Sequence, residues 1–327
     1  MNFNLVLMIT EKCNIQCKHC LFGEQEFMNN SRDMSVESMK SYIDQMADIS
    51  AQEKGVFTVS FSGGEPILRL PQLLEICKYA RARGAQKISS MTNGFWGANE
   101  AKAKQTVLAL KDAGLDSICV SMDDFHQEYV PFSSVQTVLK LLNEHHIAFD
   151  IKCVVTKKTR RLAHVVGDLG DLLLNRTVVV QEIPCYPEGR AAAVIPPEDI
   201  IYSEGLPLEP CAAGFMLTIL PDGTVYPCCG AGWSSALSLG NANGESIEKL
   251  FYKMKRNPIL SILREKGPAC LAGDLEKAGF VLEKEKFVGT CDLCLAVFTH
   301  PAFKEIAPGA AENWKQDRVE KIMSGLL

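Results

Sequence analysis

Along the first 190 residues or so, short apolar runs with strand character alternate with stretches of helical period. The strand-like runs are Leu5–Thr10, Val56–Phe61, Lys87–Thr92, Ser117–Met122, Ala148–Val155 and Thr177–Ile183. Helical patterns fall between them, at about 35–50, 71–83, 99–113, 134–145 and 160–174. Ser35 stands before Val36 with Ser38 nearby, Pro71 suits a first helical turn, and Gly84 and Gly114 suit helix ends. Six β/α units predict a parallel sheet with crossover helices. Periodicity alone does not separate an open sheet from a barrel.

The pattern then breaks. Pro184, Pro187, Pro196, Pro197, Pro207 and Pro210 crowd one connector, which predicts a domain boundary, with a first domain over 1–195 and a second over 196–327. Beyond it, Leu217–Leu220 and Thr224–Cys229 flank Pro221-Asp222-Gly223, a hairpin signal. Helical patterns follow near 245–256, 258–266 and 313–325.

Composition narrows the class. At 327 residues with 47% hydrophobic content, the chain can bury a sizeable core. A net charge of −5 gives no basic surface for nucleic acid. No apolar run has the length of a membrane span, and no basic-then-apolar segment opens the chain, so a cytoplasmic protein is expected. In a large chain of that kind, thirteen cysteines read as metal ligands and reactive thiols rather than disulfides.

The densest chemistry is Cys13-Asn14-Ile15-Gln16-Cys17-Lys18-His19-Cys20, directly after the first strand. A short loop with Cys-x3-Cys-x2-Cys spacing can turn three sulfurs toward one point, and soft thiolates there select iron–sulfur or zinc. A closed zinc site wants four ligands, and no fourth follows locally. A four-iron cluster on three thiolates keeps one iron open. A zinc site or structural cluster that borrows a distant ligand is the other reading. Ser62-Gly63-Gly64-Glu65-Pro66 follows the second strand, and its two glycines let backbone approach a ligand closely.

These two motifs resemble those of the radical S-adenosylmethionine (SAM) enzymes. The resemblance implies a curved partial (β/α)6 barrel with its ligands at the strand C-termini, and Cys13, Cys17 and Cys20 on a 4Fe-4S cluster whose open iron chelates SAM. It implies SAM contacts from Gly63, Gly64 and Glu65, from Asn93 in Thr92–Gly97, from Ser121, and from His19, at the position that often carries an aromatic beside adenine. Asp123 and His126 suit either a site role or the cap of the next helix, and Lys152 can face the barrel interior. Gly189-Arg190-Ala191 resembles a loop near adenine. His145, His146, His164 and His300 read as structural or surface residues. Cys77, Cys119 and Cys153 read as packed thiols, whereas Cys185 after strand six can overlook the cavity.

In the second domain a hairpin would bring Cys211 back toward Cys228, and Cys291-x2-Cys294 suits two ligands on one helical turn. Four thiolates saturate an iron–sulfur cluster, with zinc as the alternative. This resembles the SPASM/Twitch extension of radical SAM enzymes. The tight Cys-x2-Cys-x5-Cys run of the two-cluster form is absent, so one auxiliary cluster is expected, with Cys270 left as a helix residue. Cys228 and Cys229 are adjacent, and neighbours on an extended strand point to opposite sides, so only one of them ligates.

Across both domains the chain resembles the radical SAM peptide epimerases, which convert L- to D-residues in ribosomally made peptides. The likeness rests on Thr92–Gly97, Cys211–Phe215, Asp222–Cys229 and Cys291–Phe298. It implies that Cys229 returns a hydrogen atom to the substrate. It also implies a peptide or other small substrate and an electron donor such as flavodoxin or ferredoxin. One departure is Met216, where the epimerase pattern has an Asp. No small peptide-recognition domain is expected ahead of the barrel. A dehydrogenase, a thioether or carbon cross-linking maturase, and a sugar or aminoglycoside epimerase would use the same parts.

Overall fold

A computed structural model describes residues 2–22, 32–173, 178–211, 216–228, 230 and 235–324. It divides into two compact units, Met1–Ile201 with Thr218–Gly223, and Tyr202–Leu217 with Thr224–Leu327.

The first unit is an open parallel sheet. Its strands are β1 (Asn2–Thr10), β2 (Val56–Gly63), β3 (Lys87–Thr92), β4 (Ser117–Ser121), β5 (Ala148–Val155) and β6 (Val179–Pro184). They lie in chain order, β1 to β6, each parallel to the next. The return segments include α1 (Val36–Gln52), α2 (Leu70–Ala82), α3 (Glu100–Asp112), the single-turn α4 (Asp124–Gln127), α5 (Phe132–Glu144) and α6 (Leu162–Leu169). The sheet continues beyond β1 to β7 (Leu217–Ile219), not back to β6, so the barrel stays open.

Alternation along the strands sets the two faces. Phe57, Val59 and Phe61, Ile88, Ile118 and Val120, and Phe149, Ile151 and Val155 are fully buried. Burying each such side chain contributes about 1.5–3 kcal/mol. The intervening positions are half-exposed and mostly polar: Thr58, Ser60, Ser62, Ser89, Cys119, Ser121, Asp150 and Lys152. Several satisfy one another. Thr58 Oγ1 donates to Asn4 Oδ1 at 2.7 Å, and the Ser60 and Ser89 hydroxyls meet at 2.6 Å. This inner face is therefore a polar lining, not a core.

Local signals account for the ends. The Ser35 hydroxyl accepts from Ser38 N and caps α1, an arrangement that contributes about 1 kcal/mol. Gly84 and Gly114, at φ +88° and +86°, close α2 and α3.

In the second unit, β8 (Thr224–Tyr226) pairs antiparallel with β9 (Gly240–Asn241). The helices are α8 (Ile247–Arg256), α9 (Pro258–Lys266), α10 (Pro268–Lys277), α11 (Thr290–Thr299) and α12 (Phe303–Met323), after α7 (Arg190–Val194) in the first. The helical pattern expected near 313–325 belongs to the longer α12, and Cys270, expected as a helix residue, sits within α10. Among the described residues no helix is long and apolar enough to cross a membrane.

Candidate metal and cofactor site

The Cys13–Cys20 loop leaves the end of β1 and is gripped from several sides. Asn93, just past β3, donates its Nδ2 to Asn14 Oδ1 at 2.9 Å and lies 3.9 Å from Cys13 Sγ. Tyr129 Oη donates to Gln16 O at 3.0 Å, and Lys18 Nζ donates to Glu128 at 2.8 Å. Arg190 donates from its backbone N–H to Cys20 O at 3.0 Å and from Nη1 to Cys17 O at 2.9 Å. Gly189, at φ +56°, is needed there, because a Cβ would sit 2.4 Å from Leu21 O. The segment expected near adenine thus clamps the backbone of the cysteine loop, a role not visible in a Gly-Arg-Ala tripeptide.

The glycines of Ser62–Pro66 also pack against this loop. A Cβ on Gly63 would lie 2.2 Å from Thr10 O, and one on Gly64 2.1 Å from Lys12 O. The close approach they permit is to the backbone that leads into the cysteine loop. Gly64 N donates to Thr10 O and Glu65 N to Lys12 O, each at 2.8 Å.

Glu65 is buried and fully engaged. Its carboxylate accepts from Asn93 N at 2.7 Å, Thr92 Oγ1 at 3.0 Å and Ile67 N at 3.1 Å. Burial lifts it from its ordinary value to about 7, against the pull of those three donors. Glu65 therefore braces the rim that presents Asn93.

Three sulfurs face this region. Burial pushes the Cys13 thiol up to about 11 and raises Cys20 as well, so thiolates there require a positive centre. Cys17, His19 and His126 bring one sulfur and two ring nitrogens within 4.8 Å of one another. Three soft thiols on one short loop fit an iron–sulfur cluster. His19 adds a buried Nδ1 with no hydrogen-bond partner among the described residues. Burial, countered in part by Asp123, lowers this ring to about 4. It presents a neutral face, suited to a ligand.

Past β4, Asp123 and His126 take up the capping role that the sequence allowed. Asp123 caps α4 by accepting from His126 N at 3.0 Å and also holds Val154 N at 3.2 Å. Both its carboxylate oxygens lie 2.9 Å from His126 Nδ1. The same imidazole has a ring nitrogen within 4.8 Å of the Cys17 sulfur. Burial opposes its charged form, but Asp123 and Cys17 outweigh burial and raise it well above the usual histidine range. Sequence reasoning missed the link to Cys17.

Ser121 ends β4 in register with Lys152 on β5, and both belong to the polar lining. Neither side chain makes a hydrogen bond or ion pair among the described residues. Cys185 is buried, with its thiol 3.7 Å from Tyr186 O. Cys77 and Cys153 are buried, as expected of packed thiols.

In the second unit Met216 N donates to Pro227 O at 3.3 Å, which closes the base of the hairpin just before Cys228. Cys211 N donates to Leu263 O at 2.8 Å. Cys291 and Cys294 occupy the first turns of α11, three apart. A Cβ on Gly230 would lie 3.7 Å from Cys291 Sγ, so the strand end past Cys228 and the start of α11 adjoin. Cys229 lies outside the described residues.

Residues 7–155 match the radical SAM superfamily model, and residues 211–272 match the SPASM iron–sulfur cluster-binding domain. The chain is 26% identical over 307 residues to YydG of Bacillus subtilis (strain 168), a protein named for peptide biosynthesis, covering 91% of this chain and 92% of that one. It is 32% identical over 123 residues to GTP 3′,8-cyclase of Limosilactobacillus fermentum, covering 37% and 34% of the two chains. The structure of native anSMEcpe with bound AdoMet and Cp18Cys peptide superposes with a TM-score of 0.55 at 16% identity, over 95% of this chain and 99% of that one. At that identity the likeness speaks for the fold.

Proposed function

We propose that this chain, which matches the radical SAM model and the SPASM iron–sulfur domain model, is a radical SAM epimerase. Its substrate is a residue of a ribosomally made peptide, which it converts from L to D. Similarity to the peptide biosynthesis protein YydG along nearly the whole chain supports a peptide substrate. The observation that carries inversion is the adjacent pair Cys228-Cys229 just past β8.

When bound, SAM and its cluster supply a 5′-deoxyadenosyl radical that takes one hydrogen atom from a substrate carbon. Cys13, Cys17 and Cys20 would hold the cluster, and Asn93 and Glu65 brace their loop. Ser121 and Lys152 would offer a hydroxyl and an ammonium to a SAM carboxylate, and the neutral His19 ring would be available to its adenine. Cys211, Cys228, Cys291 and Cys294 would hold the auxiliary cluster. Cys229 returns a hydrogen atom to the opposite face of the carbon: one S–H bond breaks, one C–H bond forms, and the substrate keeps its oxidation state. The thiyl left behind takes one electron and one proton, the electron from a donor such as flavodoxin or ferredoxin.

Met216, at the place of an Asp in the peptide epimerase pattern, favours a second reading. Loss of that polar contact suits a different substrate, or an oxidised or cross-linked product. Anaerobic turnover in heavy water separates the readings. Epimerisation places one solvent deuterium at the inverted carbon, whereas an oxidised or cyclised product without that label overturns it. Cys229→Ala is expected to cleave SAM still and to lose both inversion and the label.

A further inference from the structure

We propose that Cys17, His19 and His126 form a zinc site of one sulfur and two imidazole ligands, which takes up a single Zn2+ when no cluster has been built on the cysteine loop. The inference goes beyond the epimerase reading. Cys17 is common to both uses, so zinc and the first-unit cluster exclude each other.

The three ligand atoms, Cys17 Sγ and one ring nitrogen from each histidine, lie within 4.8 Å of one another. Around a tetrahedral zinc ion, with nitrogens at about 2.0–2.1 Å and sulfur at about 2.3 Å, such atoms stand roughly 3.3–3.6 Å apart. A small inward shift therefore closes the site. The backbone that carries the ligands is already held. Arg190 Nη1 donates to Cys17 O at 2.9 Å, and Tyr129 Oη donates to Gln16 O at 3.0 Å. On α4, His126 Nδ1 lies 2.9 Å from both Asp123 oxygens, which leaves Nε2 as the nitrogen for a metal. A carboxylate on the far nitrogen is the usual support of a zinc-bound histidine. Asp123 is itself fixed by the His126 and Val154 backbone N–H groups.

An independent observation points to a ligand. His19 Nδ1 is buried and has no hydrogen-bond partner among the described residues. A buried polar atom left that way is uncommon in a folded protein and marks the place of a water or ion. The ring is nevertheless kept in position, with its centroid 4.9 Å from that of His126 and 5.1 Å from that of Phe125. The donor types select the ion. Thiolate and imidazole suit zinc, whereas magnesium and calcium want oxygen ligands. One cysteine and two histidines leave the fourth tetrahedral position to water. On binding, the Cys17 thiol proton and any proton on the facing ring nitrogens pass to solvent. No electron is transferred. A loop loaded in this way cannot offer Cys17 to iron, so zinc keeps the first-unit cluster from assembling.

The test is an anaerobic cobalt(II) titration of the full-length protein stripped of iron by a chelator, followed by displacement with zinc. Tetrahedral cobalt reports its thiolate and imidazole ligands in visible and near-ultraviolet bands. Differences between wild type and each variant separate this site from cobalt held by the second unit's cysteines. Cys17→Ala and His19→Ala are each expected to lose about one equivalent of cobalt, and Cys13→Ala with Cys20→Ala to keep it. Asp123→Asn is expected to weaken the site about 10–100-fold. Wild type preloaded with zinc is expected to take up about four fewer irons on reconstitution. If Cys13→Ala with Cys20→Ala loses the cobalt while His19→Ala keeps it, three thiolates bind the ion and the proposal is overturned. Equal cobalt in every variant overturns it too. Should His19→Ala fail to fold, His19→Phe keeps the ring packing without the nitrogen and takes its place. Metal-free wild type that assembles no SAM-responsive four-iron cluster would instead sink the cluster assignment, and the cobalt result would stand.

Discussion

Glu65 shows how one buried carboxyl ties stability to the site. Its ordinary value of 4.5 is lifted to about 7, chiefly by burial. The folded state then binds more protons than the unfolded state across that window. Its contribution is fully present below 4.5 and is lost as pH rises through about 7. Glu65→Gln does not titrate, so the fall in stability between about pH 5 and about pH 7.5 should flatten in the variant. The substitution also turns an amide N–H2 toward a backbone or hydroxyl donor, at a cost of about 1–3 kcal/mol. Anaerobic chemical unfolding at both pH values checks the two effects together. Parallel pH slopes in variant and wild type would show that Glu65 is not the titrating group. Asn93 and Glu65 were recognisable in the sequence because each follows a strand end at a motif. His126 was recognised only as a cap or site residue. Its link to Cys17 depends on the direction of a ring on a single-turn helix, and no spacing rule encodes that direction.

At the level of elements, five of the first unit's helices and all six of its parallel strands were readable, with ends displaced by a few residues. The reason is that one sheet face is apolar throughout while the helices carry ordinary start and stop residues. Openness of the barrel was not readable from periodicity, because Thr58, Ser60 and Ser62 alternate in the same way in an open or a closed sheet. The glycine pair was read as permitting a close approach, and the structure shows one to the Thr10 and Lys12 backbone. Sequence shows that a Cβ is missing, not which backbone fills the space. Gly64→Ala puts a methyl group 2.1 Å from Lys12 O, a collision with backbone that no rotamer relieves. It should cost about 1–3 kcal/mol or more and push the start of the cysteine loop out of register. Iron content after anaerobic reconstitution is the readout, with Cys77→Ala, remote in α2, as the comparison. A Gly64→Ala protein with full iron and wild-type unfolding would mean that the packing of this turn on the loop is not needed to hold the cluster.

The molecule as a whole divides its cysteines between two units, and that division has a measurable consequence. Cys13, Cys17 and Cys20 lie in the first unit; Cys211, Cys228, Cys291 and Cys294 lie in the second. If each set holds a four-iron cluster, the loaded chain carries about eight irons. Cys13→Ala with Cys17→Ala should remove about four and abolish SAM cleavage. Cys291→Ala with Cys294→Ala should also remove about four, yet leave SAM cleavage running, because the three-thiolate loop and its Asn93, Tyr129 and Arg190 clamps all belong to the first unit. Formation of 5′-deoxyadenosine and of modified product should therefore part company in the second variant and fall together in the first. Iron assay and chromatography of the nucleoside measure both. Should the second pair of substitutions leave the iron content intact, Cys291 and Cys294 hold no cluster, and the adjacency of α11 to the strand end past Cys228 is packing alone.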